Sequence, residues 1–227
     1  MIKHGIDQEA LIEQFSAASA KQGDAIRKAV GDATLKALQG RELTLANIRQ
    51  VLNTVARAAS TGAASSPLGA TDLEALLAKA VAGMDAALEK AVQANRKALQ
   101  QMVDQGADLR ETQVRKALAD IEKLEDTLFA ALRKAAEGAQ GSLEGPWAGV
   151  LKATLGKSTG TGTAATATVA QLMDSVQQNL RDGRALGMQA SKAMLDSYST
   201  LVSGVLIGMT DALQQGAAPA AAAPGRK

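Results

Sequence analysis

The residues that most invite a chemical reading lie in "GKSTGTG", where Gly156, Lys157 and Ser158 look like part of a phosphate-binding turn. Such a turn needs a glycine, four residues, then Gly-Lys-Ser/Thr between a strand and a helix, so that amides and a lysine converge on the anion. Here Leu151 stands at the first glycine position and no strand-forming run precedes it. The spacing argues against nucleotide binding. His4 is the only histidine, and cysteine is absent. One histidine makes neither a metal cluster nor a Ser/His/Asp arrangement, and without cysteine there are no disulfides or thiolate metal sites. Glu111, Asp120, Glu122, Glu125 and Asp126 alternate with Lys116 and Lys123. That spacing reads as a solvated helix face with i,i+4 pairing rather than an acid/base pair. An iron-carboxylate bundle would carry Glu-x-x-His, and none is present. The reading is a non-enzyme with no catalytic residue, metal or cofactor.

The elements are helical. Hydrophobic residues make up 46% of the 227-residue chain but aromatics only 2%, so much of the apolar content is alanine, which fits helices packed in thin layers. There are 25 basic and 23 acidic residues with no block of like charge, so the footprint of a nucleic-acid binder is missing. The N-terminus "MIKHGIDQEALIEQF" carries acids in its first turns and no continuous apolar core, unlike a secretory signal; a cytoplasmic location is expected.

Residues 7–38 read as one or two helices with Gly23 and Gly31 as weak points, and a further helix runs from about Thr44 to Ala59, so 1–60 forms an N-terminal helical region. "STGAASSPLGA" (60–70) reads as a loop. "TDLE" (71–74) is a capping box in which Thr71 and Glu74 exchange bonds, and no proline follows until after Glu137. The expectation is one amphipathic helix over 71–137, roughly 100 Å long at about 1.5 Å per residue. Its apolar residues recur every eleven. One row is Leu77, Leu88, Leu99, Arg110, Ile121, Leu132; a second is Val81, Val92, Val103, Val114; a third is Leu73, Met84, Asn95, Gly106, Ala117, Leu128. Eleven residues in three turns favour straight or slightly right-handed winding, as in coiled coils and in surface-coating amphipathic helices, and the favoured reading of the rows is helix packing within a bundle. Over 138–168 the reading is a loop, a short helix opened by Pro146 and anchored by Trp147, then a flexible Gly/Ser/Thr linker over 156–168. A long C-terminal helix spans 169–215, and the Ala/Pro tail, 216–227, reads as disordered.

The most apolar stretch is "YSTLVSGVLIGMTDAL" (198–213). Residues 197–210 lie without charge between Asp196 and Asp211, short of the about 20 residues that a membrane span needs, so no transmembrane segment is expected. At 100° per residue, Leu172, Val176, Leu180, Met194, Tyr198, Leu201, Val202, Val205 and Met209 share one side. Asp174, Arg181, Asp182, Lys192, Asp196 and Asp211 share the other, and Ile207 falls among them. Gly183 and Gly187, then Gly204 and Gly208, lie four apart on or beside the apolar side, where small residues let another backbone come close. Gly183, Gly187, Met194, Tyr198, Leu201, Val202, Gly204, Val205, Gly208 and Met209 are therefore the candidate helix-packing face.

The segment "MDSVQQNLRDGRALGMQASKAMLDSYSTLVSGVLIGM" with the tail "APAAAAPGRK" resembles phasins, bacterial proteins that coat polyhydroxyalkanoate storage granules. The resemblance covers Val169 to Lys227 and, more loosely, Ala75 to Ala136. It implies a cysteine-free helical protein that oligomerises through coiled coils and associates with granules. It has no counterpart for the N-terminal third, and the tail carries only Arg226 and Lys227 in place of repeated lysines.

Together these readings give an all-α protein, an elongated bundle or coiled coil on two long antiparallel helices, 71–137 and 169–215, with shorter N-terminal helices. The expected role is association of an amphipathic helical protein with an apolar surface, a polyhydroxyalkanoate granule or a lipid surface, together with homo-oligomerisation. The alternatives are an adaptor coiled coil that binds only protein, or a membrane-active protein with 197–210 as its insertion tip.

Overall fold

A computed structural model describes residues 2–3, 6–17, 23–39, 44–104, 112–181, 202–203 and 205–207. The fold is all-α. Its extended backbone, among these residues, is a two-residue antiparallel pair, β1 (Ile2–Lys3) with β2 (Ile6–Asp7). The helices are α1 (Gln8–Ala17), α2 (Gly23–Gln39), α3 (Leu45–Ala64), α4 (Ala70–Asp104), α5 (Thr112–Glu122), α6 (Leu124–Glu137), α7 (Glu144–Leu155) and α8 (Gly160–Arg181), with a 3-10 turn at Gly141–Leu143 before α7.

Local chemistry sets several of these boundaries. Thr44 caps α3, its hydroxyl accepting from the Asn47 amide at 3.2 Å. The helix then runs past Ala59 to Ala64, through residues expected to be loop. Packing explains the extension. A Cβ at Gly62 would sit 2.7 Å from the Ile12 carbonyl oxygen and against the Phe15 side chain, so α1 seats directly on this turn. The helix α4 begins at Ala70, one residue before the expected cap. Glu74 does not serve a capping box there, because its carboxylate lies against Gly149 of α7. Gly31 is no weak point either. It meets Gly83 where α2 crosses α4: a Cβ at Gly83 would lie 2.5 Å from the Arg27 carbonyl oxygen and 3.1 Å from the Gly31 nitrogen.

The helix expected over 71–137 is divided. Asp85 of α4 and Glu125 of α6 both reach the N-terminus of α8. On one straight helix those residues would stand roughly 60 Å apart. The chain therefore doubles back between α4 and α6, and α6 packs on α3. The joint between α5 and α6 falls at Lys123, where the Thr127 hydroxyl donates to the Lys123 carbonyl at 2.8 Å, a bond that bends helices.

The central element is α4, which packs against α2, α7 and α8 as well as α3. In the described part of the chain α4 and α8 run parallel, not antiparallel as expected. Asp85 pairs with Gly160 and Thr161, and Arg96 pairs with Gln171, so both chains advance in the same direction. The eleven-residue rows are the core. Leu77, Leu88, Leu99, Ile121 and Leu132 of the first row are all buried, as are Val81, Val92 and Val103 of the second. From the third, Leu73, Met84, Ala117 and Leu128 are buried, and Asn95 is accommodated by donating from Nδ2 to the Ala91 carbonyl at 2.8 Å. Arg110 and Gly106 lie outside the described residues. Alanines fill the space between rows, and Phe15 and Trp147 supply the two large aromatic anchors.

Candidate functional site

The "GKSTGTG" stretch becomes the join between two helices. Gly156 caps the C-terminus of α7, and α8 starts at Gly160, so the residues expected to form a flexible linker over 156–168 are largely helical. Thr and Gly are poor helix formers, and carboxylates from elsewhere in the chain compensate for them. Asp85 accepts from the Gly160 amide at 2.8 Å, the Thr161 amide at 3.0 Å and the Thr161 hydroxyl at 2.6 Å. Thr159 accepts from the Gly162 amide at 2.9 Å and donates to Glu125 at 2.5 Å. Glu89 closes the group: a Cβ on Gly160 would come within 3.0 Å of its Oε2.

A helix N-terminus attracts anions through its free amides and its dipole. Here the protein's own carboxylates take that place. The amides that would cradle a phosphate are occupied, and three carboxylates from α4 and α6 repel a second anion. The arrangement holds α8 against α4. Among the residues of α8 whose side chains are described, Thr161, Ala165, Thr168 and Leu172 are buried.

The other candidate groups are spread over several helices. Lys116 and Asp120 form the i,i+4 pair at 2.7 Å that the sequence spacing suggests. Glu122 and Asp126 are exposed, while Glu125 leaves that face for Thr159. Trp147 is fully buried in the first turn of α7 and donates its indole N–H to the Ser60 hydroxyl at 3.0 Å. Lys79 binds Asp24 at 2.6 Å and ties α4 to α2. That hydrogen bond, with the Lys79 charge and a smaller contribution from Arg27, holds the Asp24 carboxyl below its usual range. His4 and Glu111 lie outside the described residues. Among the described residues no group of His, Asp and Glu is arranged to hold a metal, and no helix is long and apolar enough to cross a membrane.

Of the ten residues in the candidate packing face, the structure describes two. Val202 is buried in the main core, and Val205 packs against it half-buried. Gly183, Gly187, Met194, Tyr198, Leu201, Gly204, Gly208 and Met209 lie outside the described residues. Leu206, beside Val205, is fully buried, and Ile207, expected to fall among polar residues, is 44% exposed. The groups missed by sequence reading are Asp85 and Glu125. The threonine-rich start of α8 signals a helix cap, but its partners lie 75 and 34 residues away and leave no local trace.

Comparison with curated proteins and with solved structures finds no match. A family model matches residues 1–215, which takes in the N-terminal helices for which the phasin resemblance has no counterpart. The chain thus belongs to a family of unknown function, DUF6781.

Proposed function

We propose that this is a non-catalytic helical protein that acts in the cytoplasm by association, with protein as its partner. One observation carries the reading: the described members of the three eleven-residue rows, which could have coated an apolar surface, are spent on the protein's own core. A surface-coating helix keeps an apolar stripe for its target. In α4 the stripe faces α2, α7 and α8 instead. Of the carboxylates gathered at the start of α8, Asp85 accepts from two backbone amides and a threonine, Glu125 from Thr159 and Glu89 from the Gln93 side-chain amide, which supports a scaffold rather than an acid/base centre.

The storage-granule reading is the second proposal, and a specific feature favours it. The helix α8 packs along α4, and its described buried side chains there are mostly threonine and alanine, so release of this stretch would uncover part of α4 at a small apolar cost. The phasin resemblance of the C-terminal segment points the same way. The test is co-sedimentation of the full chain with polyhydroxyalkanoate particles and flotation with a lipid emulsion. The first reading predicts that the protein stays in the supernatant in both. Saturable binding to the particles overturns it in favour of the second, and leakage of dye-loaded liposomes would instead point to membrane activity.

A further inference from the structure

We propose that the exposed side of α2 is a self-association surface, on which α2 of a second copy of this chain lies antiparallel. An open groove of about 590 Å³ runs between α2 and the segment Ile6–Leu11. Its α2 wall presents Ala25, Ala29 and Ala33, edged by Lys28, Asp32 and Lys36. Ala25, Lys28, Asp32 and Lys36 are exposed, and Ala29 and Ala33 are half-buried. No described element of the chain fills the groove.

Charge selects the occupant. With Asp24, one line of charged residues steps by four along α2 as minus, plus, minus, plus: Asp24, Lys28, Asp32, Lys36, with Arg27 lying off this line. A strip of that kind is complementary to its own reverse. Turned antiparallel about the level of Val30, Lys28 of one copy meets Asp32 of the other, and Asp32 meets Lys28. The outer pair is Asp24 with Lys36. In an antiparallel two-fold pair, residues on one flank of the seam face the same flank of the partner, so the inner pairs fall side by side. A parallel copy in register would set like against like at every step. The alanines at the seam let the backbones approach, while the charges fix direction and register. The strip is exposed, though Asp24 also binds Lys79 of α4, and it uses neither the apolar rows of α4 nor the C-terminal segment, so its failure leaves both readings above untouched.

The test is sedimentation velocity on the full chain at low and high salt, with a charge-reversed and a charge-swapped variant. The proposal predicts a concentration-dependent dimer that weakens with salt. Lys28→Asp places two like-charge contacts across the two-fold and should raise the dissociation constant at least about tenfold. Adding Asp32→Lys to it restores the pattern as minus, minus, plus, plus, which is again complementary to its reverse, and should recover the dimer. Circular dichroism of each variant checks that α2 stays helical. A monomer at all concentrations overturns the proposal. So does an oligomer that Lys28→Asp leaves unchanged, or one that the double swap fails to restore.

Discussion

Replacing Asp85 with alanine tests how α8 is held. Asp85 takes three bonds, from two amides and one hydroxyl, at 2.6 to 3.0 Å. Bonds to a charged group are worth about 1.5–3 kcal/mol each when counted singly, and loss of a helix cap costs about 1 kcal/mol. The full sum does not apply. The Gly160 amide is only partly buried and can turn to water, and the Thr161 hydroxyl keeps a second acceptor in the Asp85 carbonyl at 3.1 Å. The remaining cost is the loss of both amide bonds and of the charge at the helix dipole, so the expected destabilisation is ~2–3 kcal/mol. Thr161→Val alone should cost ~1 kcal/mol, since the site is fully buried and accepts a methyl group in place of the hydroxyl. In the double variant the two losses should overlap, with a coupling of about 1 kcal/mol. Urea unfolding followed by circular dichroism reads all three. Destabilisation by Asp85→Ala below about 0.5 kcal/mol, or strict additivity with Thr161→Val, would refute the capping argument.

Three further outcomes follow from the packing. Gly83→Ala should gain about 1 kcal/mol from helix propensity. The new Cβ, however, would stand 2.5 Å from the Arg27 carbonyl oxygen, and backing α2 off to ordinary contact should turn the net effect into a loss of ~1–3 kcal/mol in thermal unfolding. Among the described residues the buried Thr34 hydroxyl has no partner, so Thr34→Val should raise stability by ~1 kcal/mol in the same assay. The Asp24–Lys79 pair is exposed enough that Asp24→Asn should change little at neutral pH. Because Lys79 holds the Asp24 carboxyl low, its contribution is complete above the ordinary aspartate value of about 3.9 and fades as the pH falls below it. Urea midpoints of wild type and Asp24→Asn should converge on acidification through that range, and divergence would contradict the assignment.

What the sequence revealed was local. The eleven-residue rows mark the core because burial on a helix follows its own turn, and Leu77, Leu88 and Leu99 obey that rule whatever the tertiary path. The Thr44 cap and the Trp147 anchor are legible for the same reason. The reversal between α4 and α6 is not, since the rows keep their period on both sides of it and Ile121 and Leu132 look like a continuation of Leu99. The direction of α8 is equally hidden. It depends on Asp85 meeting Thr161, a contact between residues far apart in the chain, and the glycines and threonines at 156–168 read as linker until that carboxylate is in place. Glu125 shows the limit most plainly: its i,i+4 neighbours mark it as one more solvated charge, while the fold turns it onto Thr159.

The measurement that tests the account most directly is hydrogen exchange of α4 in the native protein, with and without polyhydroxyalkanoate particles. If the rows of Leu77, Val81 and Leu73 belong to a closed core, the amides of α4 exchange only through global unfolding, and the particles leave that protection unchanged. Loss of protection across α4 on adding particles, together with retention of the protein on them, would contradict the account. It would show a bundle that opens to give its apolar rows to a surface.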